Sequence, residues 1–247
     1  MKNFKYRFLK GLDEIGLKEG DNIFCHSSLI LFKIKNKKKA NETCKIIFEC
    51  LKKKIGEKGT FIVPTFTYSL SNNKNYDYKT SKNLCGFFSE YIRNLKNVKI
   101  YKDPNVSVAA IGGKAIFFTK NPTVNSYGKN SFFDRFAKIG GKICNINLDS
   151  GSTFIHYFER NLKVPYRYDK TFIGYMGKKK IKSKLFVRKL NDKYEPNFEK
   201  FHEDAVKNKM YKKFYLGNSY TGVIDINSVQ NLIYKKIHKN KLYLVRG

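Results

Sequence analysis

The stretch Asp149-Ser150-Gly151-Ser152-Thr153-Phe154-Ile155-His156-Tyr157-Phe158-Glu159, running on to Pro165-Tyr166-Arg167, sets the reading of the whole chain. It follows an apolar run, Lys142-Ile143-Cys144-Asn145-Ile146, of the length and composition of a buried strand. Gly151 and Ser152 mark a turn into a helix, with Ser152 or Thr153 as its N-cap. His156 falls one turn inside. Thr153 stands three residues before it and Glu159 three after, so both share its helix face. A strand that runs straight into a helix is the unit of an α/β fold, and open α/β sheets bind ligands at the carboxyl ends of their strands. The position therefore makes His156 a candidate ligand-facing histidine. The alternative is a histidine that only satisfies local structure.

Moving upstream, the same alternation recurs. Phe4, Phe8, Leu9, Leu12 and Ile15 have helical spacing over residues 3–15, and Gly16 ends that helix. Asn22 to Cys25 is a short buried strand, followed directly by His26-Ser27-Ser28-Leu29. Small hydroxyl residues after a strand form a nest of outward N–H and O–H donors that suits a phosphate or a carbonyl oxygen, with an ordinary N-cap as the alternative. Residues 40–54 form a helix with Cys44, Ile47, Phe48 and Leu51 inside, and Gly59 to Val63 the next strand, stopped by Pro64. Ser69 to Lys82 is a polar loop, mobile or lying over a ligand. Gly86 to Leu95 is helical. Asp103-Pro104 forces an extended approach to Ser107-Val108-Ala109-Ala110, whose small residues permit close backbone contact. Residues 114–120 form a short helix. Ser131 caps a helix through Phe136, with Asp134 at the capping-box position.

Downstream of Tyr168 the pattern changes. Lys178 to Lys189 alternates as a hairpin or a lysine-rich edge strand. A helix over 197–210, a turn at Phe214 to Asn218, a strand at Tyr220 to Ile224, a helix at Ile226 to His238 and a strand at Leu242 to Val245 complete the chain. No linker or repeat divides it. One domain over 1–247 is expected, with 1–168 as the motif-bearing core and 169–247 packed on it.

Composition bounds the function. With 247 residues, 41% hydrophobic and 15% aromatic, the chain is a folded protein and not a disordered tail. No apolar run approaches the roughly 20 residues a membrane span needs, and the N-terminus lacks the apolar centre of a signal peptide, so a cytoplasmic location is expected. The five cysteines, Cys25, Cys44, Cys50, Cys85 and Cys144, are odd in number and form no C-x-x-C pair, which suits reduced, buried thiols. The four histidines lie at no ligand spacing, so no metal is assigned. The net charge of +30 admits a polyanionic partner, but the lysines are spread along the whole chain and outnumber arginine, which makes nucleic acid an unfavoured partner. Such a field favours an anionic ligand over a cationic one.

The motifs, in their order, resemble the aminoglycoside 3-N-acetyltransferase family. The matching segments are His26-Ser27-Ser28-Leu29, Gly59-Thr60…Pro64-Thr65-Phe66-Thr67, Ser107-Val108-Ala109-Ala110-Ile111-Gly112, Tyr127-Gly128…Ser131-Phe132-Phe133-Asp134-Arg135, Ser152-Thr153-Phe154-Ile155-His156…Glu159 and Pro165-Tyr166-Arg167. They cover roughly residues 10 to 170. The resemblance implies an α/β fold with a mixed central sheet flanked by helices (α/β/α), unlike the commoner GNAT acetyltransferases. It implies acetyl-coenzyme A as co-substrate, with the coenzyme arm passing His26, Ser27, Ser28 and Leu29, then Thr65, and Ser107, Val108 and Ala109. His156 matches the family's catalytic histidine.

The residues suit that chemistry. A histidine takes a proton near neutral pH and so frees an amine to attack a thioester. Glu159 can orient the ring, and Thr153, Ser107 or the amides near Ser27 can meet the oxyanion. No cysteine sits at a matching motif position, so transfer is expected to be direct. The 20 acids against 50 bases, which do not cluster along the sequence, and an Asp103-Pro104-Asn105-Val106-Ser107 segment that departs from the resistance enzymes disfavour a polycationic antibiotic; the resemblance extends to enzymes of cell-surface glycan assembly, which implies as acceptor an amino group of a nucleotide-linked amino sugar. The alternatives are aminoglycoside acetylation, which confers antibiotic resistance, and a non-enzymatic polyanion-binding protein. An acyl-carrier protein as donor and pairing into a homodimer stay open.

Overall fold

The strand Asn22–Ser27 (β1) has both faces covered. Ile23 and Cys25 point into one apolar cluster with Phe8, Leu12, Ile47, Leu51 and Phe88. Phe24 points into the other, with Phe132, Phe136, Phe154 and Ile155. A strand buried on both faces reads as a continuous apolar run, which is why residues 22–25 carry no polar alternation. The structure, a computed structural model, describes residues 2–32, 36–189 and 193–247.

The first layer holds α1 (Lys2–Glu14), α2 (Lys37–Ile55) and α3 (Phe87–Arg93). The second holds α4 (Ala115–Thr119), α5 (Phe132–Ile139), α6 (Phe154–Asn161), α7 (Glu199–Lys207) and α8 (Ile226–Lys239). Between them lies a seven-stranded sheet. Its strands in chain order are β1, β2 (Thr60–Pro64), β3 (Lys99–Tyr101), β4 (Val108–Gly112), β5 (Lys142–Ile146), then Lys212–Leu216 and Ser219–Asp225 from the C-terminal part. A long hairpin, β6 (Arg167–Met176) with β7 (Lys179–Arg188), and a short pair, β8 (Glu195–Pro196) with Val245–Arg246, stand outside it. Numbered on, the sheet strands Lys212–Leu216 and Ser219–Asp225 are β9 and β10, and Val245–Arg246 is β11. The order is β3-β4-β2-β1-β5-β10-β9. Only β1–β2 and β1–β5 are parallel; the remaining neighbours run antiparallel. This is the expected mixed sheet between helices.

The parallel pairs decide where the site can be. β2, β1 and β5 all end on one edge of the sheet, with Ser27 beside Ile146 in register. Their carboxyl ends open the crevice where α/β sheets bind ligands. At the opposite edge Gly112 has φ +124 and lies against Gly59, where an added Cβ would meet the Gly59 carbonyl at 2.2 Å.

Local differences from the sequence reading have physical causes. Ser131 Oγ accepts from Asp134 N–H (3.2 Å), but the Asp134 carboxylate reaches back to Asn130 N–H (2.7 Å), so the capping box is displaced by one residue. Phe214 to Asn218 is not all turn. Lys212–Leu216 pairs with β10 because Phe214 packs edge-on to Phe8, and the turn is confined to Gly217 and Asn218. Of Leu242 to Val245 only Val245 enters a ladder, since the Tyr243 amide closes a turn onto Asn240. The hairpin begins at Arg167, earlier than its lysine-rich half. The 69–82 loop is not a cover over the crevice: Leu70 packs on Gly174, and the Tyr76 amide donates to Tyr175 of β6 (2.8 Å). No helix among the described residues is long and apolar enough to cross a membrane.

Candidate active site

β5 delivers the chain into residues 147–153, and side chains fasten this loop to β1. Asn145 Nδ2 donates to the carbonyls of Gly151 (3.0 Å) and Asp149. Asn147, in the left-handed region at φ 55, donates to Ser28 O (2.8 Å) and accepts from Tyr220 N–H (2.8 Å). His26 Nε2 meets Ser152 Oγ at 3.0 Å, so the end of β1 and the approach to α6 touch directly. Burial holds the His26 ring neutral, with its pKa lowered to about 4.

Helix α6 then sorts its residues by face. Phe154, Ile155 and Phe158 are buried, and Tyr157 donates to Asp134 (2.9 Å). His156 keeps 20% of its side chain exposed. Its Nδ1 lies 2.7 Å from Glu159 Oε2, a carboxylate only 1% exposed. A carboxylate can only accept here, which assigns the proton to Nδ1 and leaves Nε2 with a free lone pair. Glu159 Oε1 accepts from the Tyr166 hydroxyl at 2.8 Å. Arg167 Nε lies 3.1 Å from Oε2, an ion pair without the alignment of a hydrogen bond, and its side chain is 8% exposed. Tyr127 and Phe198 flank the imidazole at 6.0 and 5.8 Å between centroids. Burial, then the Arg167 charge, push the His156 pKa below the ordinary value, and Glu159 opposes them.

Two cavities meet at Thr153, one helical turn before this histidine, and His156 itself lines neither. The larger, about 870 Å³, is lined by His26, Ser27, Ser28 and Leu29 on one side and by Pro64, Phe66, Cys85 and Phe87 on the other. Among the described residues no carboxylate lines it, and Lys37 stands at its edge. The smaller, about 530 Å³, is lined by Asp149, Ser152, Phe198, Glu199 and Arg246. His26, Leu148 and Thr153 line both. Thr153 makes no capping hydrogen bond, and Ser27 Oγ is buried without a hydrogen-bond partner among the described residues.

The site residues expected from sequence fall into two groups. His26, Ser27, Ser28, Leu29 and Thr153 come together around the larger cavity, while His156, one turn of α6 beyond Thr153, and Glu159, nearly two turns beyond it, line neither cavity. Thr65, Ser107, Val108 and Ala109 do not line either cavity. Thr65 and Ser107 are buried and bonded to each other, Oγ1 to Oγ at 3.0 Å, and the Ser107 hydroxyl is committed to the Thr65 carbonyl. Val108 and Ala109 lie in β4 opposite Pro64 and Val63. These four fix the end of β2, and with it Pro64 and Phe66. The sequence reading gave no role to Tyr166, Arg167, Asp149 or Glu199. Pro165 beside an aromatic and an arginine is a faint signal. Nothing in the sequence ties Glu199 to Asp149.

The family model described as aminoglycoside 3-N-acetyltransferase matches residues 25–237. The fold is similar to that of aminoglycoside acetyltransferase AAC(3)-IVa as apoenzyme, at 18% identity and TM-score 0.80, covering 98% of this chain and 91% of that one. It is similar to AAC(3)-IIb at 16% identity and TM-score 0.79, covering 96% and 97%. AAC-IIIb in a binary complex with CoASH matches at 17% identity and TM-score 0.77, covering 95% and 96%. A sequence comparison with curated proteins finds no match. At these identities the solved structures speak for the fold, and the family rests on the model match across most of the chain. The chain belongs to the aminoglycoside 3-N-acetyltransferase family, and is an N-acetyltransferase that takes its acetyl group from acetyl-coenzyme A.

Proposed function

We propose that this chain acetylates an amino group of an aminoglycoside-type acceptor by direct transfer, with His156 as general base. The observation that carries the reading is the meeting of two cavities of opposite character at His26 and Thr153. The larger has no carboxylate among the described residues, and suits a thioester arm and its phosphates. The smaller carries Asp149 and Glu199, and Arg246, which also lines it, lies 3.7 Å from Glu195. In a chain with net charge +30, two carboxylates in one pocket are a place for a cationic amine. A nucleotide-linked acceptor is not supported. That expectation rested on acids scattered along the sequence, and the fold brings Asp149 and Glu199 together. A histidine-to-alanine mutant of AAC(3)-IVa, matched at 18% identity and TM-score 0.78, is in complex with apramycin, which favours the same class of acceptor.

The chemistry follows the geometry. The amine nitrogen attacks the thioester carbonyl carbon as His156 Nε2 takes its proton. Glu159, on the far side of the ring, stabilises the imidazolium. The hydroxyls of Thr153 and Ser27 are uncommitted donors at the cavity where the oxyanion forms. As the carbon–sulfur bond breaks, the imidazolium proton passes to the leaving thiolate. Cys85 also lines the larger cavity, but burial pushes its pKa up to about 12, and its sulfur accepts from Phe66 N–H (3.2 Å). It stays a thiol at neutral pH and offers no acyl-accepting thiolate.

The test is thiol release from acetyl-coenzyme A with aminoglycosides and with nucleotide-linked amino sugars, for the wild type and His156→Ala. The expected result is turnover of aminoglycosides and a fall of at least about 100-fold in the mutant. Turnover of the nucleotide-linked sugars alone overturns the acceptor. An unchanged rate in the mutant overturns the base.

A further inference from the structure

The carboxylate behind His156 receives more than orienting an imidazole requires. Its Oε2 faces both His156 Nδ1 (2.7 Å) and Arg167 Nε (3.1 Å), and its Oε1 is held by the Tyr166 hydroxyl (2.8 Å). With both oxygens engaged the carboxylate cannot turn about its own axis, and the ring it supports is fixed in plane. The groups come from two elements. His156 and Glu159 are on α6, while Tyr166 and Arg167 follow Pro165 at the start of β6.

Charge is the second consideration. A lone buried carboxylate beside a histidine favours the imidazolium, which has no lone pair to accept a proton. Arg167 is a permanent cation on the same oxygen. It stabilises the carboxylate and opposes a second positive charge on the ring. Glu159, Arg167, Tyr166 and Tyr127 are the titratable or charged groups that meet the ring or its carboxylate. Burial keeps Tyr127 neutral, and the apolar Phe198, the residue that precedes α7, faces the ring from that side.

We propose that Tyr166 and Arg167 are positioning residues that hold Glu159 in place and keep His156 in its neutral, proton-accepting form. The proposal rests on the reading of His156 as base. The depressed His156 pKa, lowered by burial first and by Arg167 next, agrees with it.

The experiment compares Arg167→Gln, Arg167→Lys and Tyr166→Phe with the wild type. It reads the pH profile of acetyl transfer and the NMR titration of the His156 imidazole in the free protein. Arg167→Gln keeps a donor and removes the charge. Its titration and its acid limb move to higher pH, and its rate deficit is at least about threefold larger at pH 6 than at pH 8.5. Arg167→Lys returns both towards the wild type. Tyr166→Phe lowers kcat with KM little changed and leaves the acid limb in place. Coincidence of the Arg167→Gln titration with that of the wild type overturns the proposal. So does a wild-type imidazole that titrates above the ordinary value of about 6.5, a readout that needs no variant to fold. If the imidazole responds to Arg167 but acetyl transfer ignores His156, the base assignment fails and the clamp stands.

Discussion

Replacing Glu159 with glutamine separates charge from shape at the centre of this site. The amide oxygen can take the place of Oε2 and still accept from His156 Nδ1. The amide nitrogen then faces the Tyr166 hydroxyl, which can turn round and accept. What is lost is the negative charge beneath Arg167, whose side chain is 8% exposed. Leaving one member of a buried ion pair unmatched costs about 3–5 kcal/mol. That is a large part of the roughly 5–15 kcal/mol by which domains are stable, so the variant folds but with a markedly lower urea midpoint. Catalysis loses the stabilisation of the imidazolium, and kcat is expected to fall about 100-fold. The assays are urea unfolding followed by circular dichroism, and thiol release at saturating acetyl-coenzyme A. A variant with the wild-type midpoint and a kcat within about threefold of wild type would refute the reasoning, because the carboxylate would then be neither counter-ion nor support for the base.

Asp149→Asn and Glu199→Gln are each expected to raise KM for an aminoglycoside by up to about fivefold with kcat nearly unchanged, since exposed ion pairs contribute about 0.2–1 kcal/mol and Asp149 is 69% exposed; steady-state kinetics at low and high salt checks this. His26 is neutral when folded, with a pKa of about 4 against 6.5, so the unfolded state binds its proton first. Stability is therefore expected to be lost as pH falls from about 6.5 to about 4, by at most about 3 kcal/mol, and His26→Gln removes that part of the loss in urea titrations against pH. Cys85→Ala is expected to retain acetyl transfer with no acyl-enzyme detectable by mass spectrometry, and its inactivation with a folded structure would contradict direct transfer. Aminoglycoside binding is expected to tighten once coenzyme A is bound, more strongly at low salt, as measured by titration calorimetry on free and coenzyme-loaded protein.

How much of this was legible in the sequence depends on how local the cause is. The strand, turn and helix over 142–161 follow from an apolar run, a glycine-serine turn and a 3.6-residue period, all within twenty residues, and His156 with Glu159 followed from them. The His26-Ser27-Ser28-Leu29 turn was equally local. β6 was not legible, because Asp169 to Met176 is exposed at every second residue or more and contains Gly174; its strand character comes from its ladder with β7. The pairing of Asp149 with Glu199 was hidden for the same reason: one follows β5, the other opens α7, and only the tertiary fold puts them in one pocket. Ser107 and Thr65 were read as ligand contacts from the family motifs in which they stand. Their hydroxyls serve each other and the backbone instead.

The net charge is the remaining difficulty for a cationic acceptor, and magnitudes resolve it. Thirty charges on a sphere of about 23 Å radius repel a unit cation at the surface by about 1.4 kcal/mol at physiological salt and about 3 kcal/mol at 0.01 M. Two rim carboxylates at about 0.2–1 kcal/mol each cannot cancel this for a molecule with several ammonium groups. They orient an amine that has arrived; they do not draw it in. The donor has the opposite sign. Coenzyme A carries several phosphate charges, and on the proposed reading it is steered towards a basic protein and into the larger cavity, which no carboxylate lines among the described residues. On the proposed reading it lies next to the smaller cavity, because His26 and Thr153 line both, and its phosphates are expected to offset part of the repulsion within a Debye length of about 8 Å. The same basic surface that disfavours a cationic acceptor on the free protein would thus load the group that admits it, so the expected order of binding is donor first.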